Sequence, residues 1–259
     1  MWRIVLILLI SLIIIKFTTN KENFINQNKP KFNIGKIYLI NLDKSPDRLQ
    51  YMKKQFNKNN INFERFQAID GSKLDTEKLT RSNVLKTNKM MIGAVGCSLS
   101  HINLWKKIQN SNHKYTLILE DDTIIMDNFW EQFNTYSKQI PDDFDILYLG
   151  GSNIDGRMIS KNILIPKITK SNSTKNTGMY GMIINKRVIP ILLKHNIPIK
   201  DNIDQVVKNH IFDKIKVYYI IPVLIKHNNS FYSMRRINSN RVPLTRWFKE
   251  TQSKITIND

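Results

Sequence analysis

The sequence predicts an α/β domain built on a Rossmann-like, mostly parallel central sheet flanked by helices, and three stretches carry that prediction. Leu117-Ile118-Leu119 runs straight into Glu120-Asp121-Asp122, the pattern of a buried strand that stops where a sheet meets solvent. Lys36–Asn41, the helix-spaced Leu49, Met52 and Phe56, and the alternating Ile61–Phe66 make a strand–helix–strand unit. Phe144–Leu149, closed by Gly150-Gly151, repeats the short apolar run with a turn after it.

Taken in order, Met1–Phe17 is an apolar run that reads as an uncleaved membrane anchor. Ile4–Ile15 would reach about 18 Å as a helix and Met1–Phe17 about 26 Å, just enough for a thin bilayer. Phe17-Thr-Thr-Asn20 is a poor signal-cleavage site. Lys16, Lys21, Lys29 and Lys31 outnumber Arg3, which disfavours a luminal domain, so the side of the membrane stays open. Residues 18–34 are polar and read as a stem, leaving 35–259 as the folded domain. Ser45 with Pro46 can open a helix after the first strand. Residues 72–92 carry no clear pattern. Gly93–His101 reads as a glycine-rich turn entering a helix, and Leu99, Ile102, Trp105 and Ile108 mark a helix face leading to the central strand. Asn128-x-x-Glu131 resembles a capping box before a helix lined by Phe129, Trp130, Phe133 and Tyr136. Residues 152–176 read as a long loop, Gly178–Ile184 as a strand, Arg187–His195 as a helix with Pro190 in its first turn, and Lys216–Ile221 as the last clear strand.

Composition narrows the chemistry. At 41% hydrophobic and 10% aromatic residues the chain is globular and not disordered. The formal charge is +19, and residues 161–259 hold 18 Lys and Arg against 5 Asp and Glu, so the basic excess lies in the last third. Such an excess fits contact with polyanions such as nucleotide phosphates, acidic lipid or nucleic acid, and equally a lysine-rich solvated surface. With one cysteine, Cys97, no internal disulfide can form. Nothing in sequence obviously activates that thiol as a nucleophile.

The carboxylate run is the centre of the chemical reading. Adjacent acids repel, and at the carboxyl end of a strand they sit where open α/β sheets bind ligands. A hard divalent cation carrying a phosphate ligand would offset the charge, and Mg²⁺ or Mn²⁺ suits that role. Asn41-Leu-Asp-Lys-Ser-Pro-Asp-Arg48 offers N–H groups at a helix start and an arginine, which suits a nucleotide. There is no GxGxxG, so a dinucleotide cradle is not indicated. Asp201 and Asp204, three apart, would share a helix face, and either could be a general base. His227 could supply a metal nitrogen, whereas a lone His101 reads more readily as structural.

Ile40-Asn-Leu-x-x-Ser-Pro-Asp-Arg48, Gly93-Ala-Val-Gly-Cys-Ser-Leu-Ser-His-Ile-Asn-Leu-Trp105 and Leu117-Ile-Leu-Glu-Asp-Asp122, in that order, resemble glycosyltransferase family 25. The resemblance covers roughly residues 36–205. It implies a GT-A type nucleotide-sugar fold, a UDP-galactose or UDP-glucose donor, Mn²⁺ (or Mg²⁺), inversion at the anomeric carbon, and a glycan, lipid-linked or protein acceptor. Carried over by residue, Asn41 and Arg48 would hold the nucleotide, and Glu120, Asp121 and Asp122 match the metal and UDP carboxylates, with Asp122 on the metal. Gly178 and Tyr180 would border the sugar. Asp204 is the preferred base and Asp201 the reserve. His227 as a metal ligand rests on fold analogy alone. The alternative is a basic nucleic-acid- or glycan-binding module. Its interleaved basic and aromatic residues would be confined to Phe231–Arg236 and Arg246–Lys249, so no specific nucleic-acid partner is expected.

Overall fold

The computed structural model describes residues 30–168 and 173–231, together with Lys16. The expected anchor apart from Lys16, the stem up to residue 29 and the basic stretches after Phe231 lie outside the described residues. Among the described residues no helix is long and apolar enough to cross a membrane.

In chain order the elements are β1 (Lys36–Asn41), α1 (Pro46–Lys58), β2 (Glu64–Gln67), α2 (Thr76–Arg81), α3 (Ile92–Gln109), β3 (Tyr115–Glu120), β4 (Thr123–Ile125), α4 (Phe129–Ser137) and β5 (Ile146–Tyr148). They continue with β6 (Gly156–Met158), β7 (Ile163–Pro166), β8 (Gly181–Asn185), α5 (Ile189–Asn196), α6 (Ile203–His210), β9 (Val217–Ile220) and β10 (Ile225–His227). One eight-stranded sheet runs β2-β1-β3-β8-β5-β9-β7-β6, and β10 pairs with β4 in a separate ribbon.

The central strands of the sheet are buried on both faces, which is why they read as continuous apolar runs. Alternation sorts them: Leu117 and Leu119 face Met52 and Phe56 of α1 and Phe129 and Phe133 of α4. Ile118 faces the other way, with Ile102, Trp105 and Ile108 of α3, Leu192 of α5 and Val207 of α6. Phe32, in the stretch read as stem, packs its ring against Tyr115, Phe133 and Phe144, so the folded body takes in residues before 35.

The architecture is α/β as expected, but the sheet is mixed. β2, β1 and β3 are parallel, as are β5 and β9. β8 runs antiparallel between β3 and β5, and β7 antiparallel to β9. Strand direction follows from how the chain re-enters the sheet, which the apolar pattern of β8 does not encode. Residues 152–176, read as a loop, contain the β6–β7 hairpin, and only β7 has buried residues to reveal it.

Local readings are corrected too. Gly93–His101 lies inside α3 and is not a turn. A Cβ at Gly96 would stand 2.7 Å from both Gly71 N and Ile69 O, so the glycine lets the helix press against the 69–71 backbone. Asn128 precedes α4 with φ 56° and no side-chain cap bond, so there is no capping box. Ser45 stands at the cap of α1 without a side-chain bond, and Pro46 opens the helix as expected. Pro190 likewise falls in the first turn of α5. Residues 72–92 contain a short 3-10 turn and α2, capped by the Asp75 carboxylate accepting from Lys78 N.

Candidate active site

β1 and β3 are parallel neighbours, so Asn41 and Glu120-Asp121-Asp122 emerge together at the carboxyl edge of the sheet. The first turn of α1 brings Arg48 to the same point. Arg48 Nη1 donates to Asp121 Oδ1 at 2.8 Å and lies 3.7 Å from Asp122 Oδ2. Asn41 Nδ2 donates to Asp121 Oδ2 at 2.7 Å, and Arg65 Nε donates back to Asn41 Oδ1 at 2.8 Å. Burial pushes the Asp121 carboxyl above its ordinary range, and the Arg48 and Asn41 contacts oppose that rise. The two donors therefore use both oxygens of Asp121, which leaves it a structural anchor more than an open ligand.

The other two carboxylates are differently placed. Glu120 Oε1 is 3.0 Å from His101 Nε2 on α3. His101 is fully buried, and although burial works against its charge, Cys97 and Glu120 beside it raise its pKa to about 9. Asp122 Oδ2 is 3.6 Å from His227 Nε2, a contact created when β10 pairs with β4 and Asn228 N donates to Asp122 O. The Asp122 contact holds the His227 imidazole above its usual pKa. Asp122 Oδ1 is buried and has no hydrogen-bond partner. A buried carboxylate oxygen left bare, with an imidazole on its sister oxygen, is a donor set that fits a divalent cation. Asn41, Arg48, His101 and all three acids line a cleft that is open to solvent and continued by Lys44, Asp70 and Ser72.

A second group sits just before β8, which begins at Gly181 and not at Gly178 as the sequence suggested. Gly178 adopts φ +90°, and Tyr180 is buried with its ring 5.7 Å from that of His227 and its hydroxyl 3.3 Å from Ser152 Oγ. Burial raises the Tyr180 pKa. Asp204, in the first turn of α6, accepts from Gly178 N at 3.2 Å and from Gln205 N at 2.9 Å. Contacts thus run from Asp122 through His227, Tyr180 and Gly178 to Asp204. Asp201 departs from expectation: it lies before α6, exposed, with its carboxylate accepting from Asn202 N, so it shares no helix face with Asp204.

The family model for glycosyltransferase family 25 (LPS biosynthesis protein) matches residues 34–207, two thirds of the chain and every residue of the carboxylate centre except His227. The chain belongs to glycosyltransferase family 25. Among its relatives, a procollagen lysyl hydroxylase and glycosyltransferase of Acanthamoeba polyphaga mimivirus is 34% identical over 136 residues, 45% of this chain and 15% of that protein. A glycosyltransferase 25 family member of Drosophila melanogaster is 32% identical over 133 residues, 47% of this chain and 22% of that one. Human procollagen galactosyltransferase 2 is 26% identical over 136 residues, covering 46% and 21%. The matched part is thus less than a quarter of each of these relatives. Among solved structures, a glycosyltransferase involved in the glycosylation of the major capsid of PBCV-1 aligns with a TM-score of 0.43 and 9% identity over 76% of this chain and 95% of that one.

Within this family-25 chain, several contributors to the cleft escaped sequence reasoning. The His101–Glu120 pair, the Arg65 brace on Asn41 and the Lys44–Asp70 pair at 2.8 Å join residues 19 to 26 positions apart. Only the first had a usable signal: Cys97 and His101 are four apart in what proves to be a helix. Lys208, one turn after Asp204, is almost fully buried and its Nζ donates to Ser173 O. Burial lowers its pKa, while Asp204 and Asp201 work the other way.

Proposed function

We propose that this chain is a GT-A type transferase that moves a hexose, galactose or glucose, from a UDP-sugar to an acceptor hydroxyl with inversion. The observation that carries the reading is the carboxylate centre at the end of β3, with Asp121 fixed by Arg48 and Asn41 and Asp122 bearing a bare buried oxygen beside His227. Asp122 and His227 would hold Mn²⁺ or Mg²⁺, which when bound supplies positive charge against the pyrophosphate of the leaving group. Asn41 and Arg48, preorganised by their shared carboxylate, orient the nucleotide, and Lys44 adds charge at the cleft mouth. Gly178 and Tyr180 border the sugar. Asp204, held by two backbone N–H groups, accepts the proton of the acceptor hydroxyl as that oxygen attacks the anomeric carbon. Asp201, exposed and away from this chain of contacts, is a poor second choice.

Relatives named for procollagen support a protein hydroxyl as acceptor, and the family description supports a lipopolysaccharide glycan. Membrane attachment through Met1–Phe17 belongs to the same proposal and is supported by the apolar run alone. Carbonate extraction of membranes from expressing cells tests it: a pelleted chain supports the anchor and a released one removes it. For the site, calorimetry of UDP binding is the test. Binding that needs Mn²⁺ and is lost in Asp122→Ala supports the reading, and metal-independent binding of equal strength rejects the metal role.

A further inference from the structure

The cleft floor holds a second set of donor atoms that the transfer reading does not use as a metal site. Cys97 and His101 lie one turn apart on α3 and meet Glu120 at the end of β3, each offering a donor atom within 4.8 Å of the other two. His101 Nε2 is already 3.0 Å from Glu120 Oε1, and the ring is 0% exposed with no hydrogen-bond partner on Nδ1. All three residues line the cleft.

We propose that Cys97, His101 and Glu120 form a binding site for a borderline-soft divalent cation, Zn²⁺ by its chemistry, distinct from the hard-cation position at Asp122 and His227. The donor types decide the metal. A thiolate, an imidazole and a carboxylate are the mixed set that Zn²⁺ accepts, whereas Mg²⁺ and Mn²⁺ favour oxygen. Three protein ligands leave a fourth tetrahedral position, which here faces the cleft, where water or an anionic group completes the shell. Zn²⁺ holds such donors at about 2.0–2.3 Å, and with no two of the three more than 4.8 Å apart a small inward movement lets them share one ion. Binding exchanges the thiol proton and an imidazole proton for the cation, both released to solvent. The site depends neither on the donor sugar nor on transfer itself.

Because Cys97 is the only cysteine of the chain, its spectroscopic signature is unambiguous. The full chain, stripped with EDTA and checked for its fold by circular dichroism, is titrated with Co²⁺ as the probe. The expected result is a thiolate-to-cobalt charge-transfer band in the near ultraviolet that saturates at one equivalent and is displaced by Zn²⁺. It should vanish in Cys97→Ser, weaken strongly in His101→Gln and persist in Asp122→Asn. Absence of the band in folded protein, or its survival in Cys97→Ser, would overturn the proposal. Iodoacetamide labelling of the wild-type thiol provides a check without variants: Zn²⁺ should slow it by roughly tenfold or more, and an unchanged rate overturns the site as well.

Discussion

Replacing Arg48 by Met keeps the apolar stem but strips the Asp121 carboxylate of its charged partner. Arg48 and Asp121 are 7% and 8% exposed and 2.8 Å apart, so the variant leaves a buried anion held by the Asn41 amide alone. Removing one member of a buried pair costs about 3–5 kcal/mol. The lower end applies here, about 3 kcal/mol, because Asn41 still donates and the cleft admits water. With a urea m-value of about 2 kcal/mol/M, the unfolding midpoint should fall by about 1.5 M at pH 7. The pH dependence has a definite sign. Arg48 opposes the burial-driven rise of the Asp121 pKa, so its removal raises the folded-state value further above the ordinary 3.8. Above that raised value the variant carries the full loss. As pH falls through it, the folded variant takes up a proton and the loss shrinks, until Asp121 is protonated in both proteins. Asp121→Asn in the Arg48→Met background should recover at least half of the loss. A neutral-pH loss below about 1 kcal/mol, far under the range for a broken buried pair, would refute this account of the site's anchor, as would a double variant no more stable than the single one.

Other substitutions separate the proposed roles. Asp122→Ala should abolish metal-dependent UDP binding with stability unchanged or raised, since one of its oxygens is buried without a partner; thermal unfolding and calorimetry on one sample read both. Asp204→Asn should bind the UDP-sugar normally and transfer it about 10²–10⁴-fold more slowly. Lost binding in steady-state kinetics would instead make Asp204 a positioning group. At Gly178, φ is +90° and an added Cβ would lie 2.5 Å from Tyr180 Cε1, so Gly178→Ala must strain the backbone and tilt the ring. A loss of about 1–3 kcal/mol is expected on chemical denaturation, and wild-type stability would show that the strained conformation is not required.

Local pattern revealed much of this molecule, and long-range pairing hid the rest. β1, α1 and β3 were legible because their apolar residues follow the periods of 2 and 3.6 that burial on two faces demands. The acids at the end of β3 were legible because polar residues abruptly end an apolar strand. The glycines of α3 misled, since they serve close contact with the 69–71 backbone and not a turn. The β6–β7 hairpin lacks an apolar signature because β6 is an exposed three-residue edge. Asp201 was placed on a helix by spacing alone, and the helix begins two residues later at Ile203. The meeting of His227 with Asp122 depends on the β4–β10 ribbon, and that of Cys97 and His101 with Glu120 on how α3 packs over β3. No local pattern reports either.

The most direct test of the central claim is UDP release from a panel of UDP-sugars by residues 30–259, assayed with Mn²⁺ and again with EDTA. Slow hydrolysis of UDP-galactose or UDP-glucose, abolished by EDTA and by Asp122→Ala, is the result this account predicts. Hydrolysis that persists undiminished in EDTA and in Asp122→Ala would contradict it.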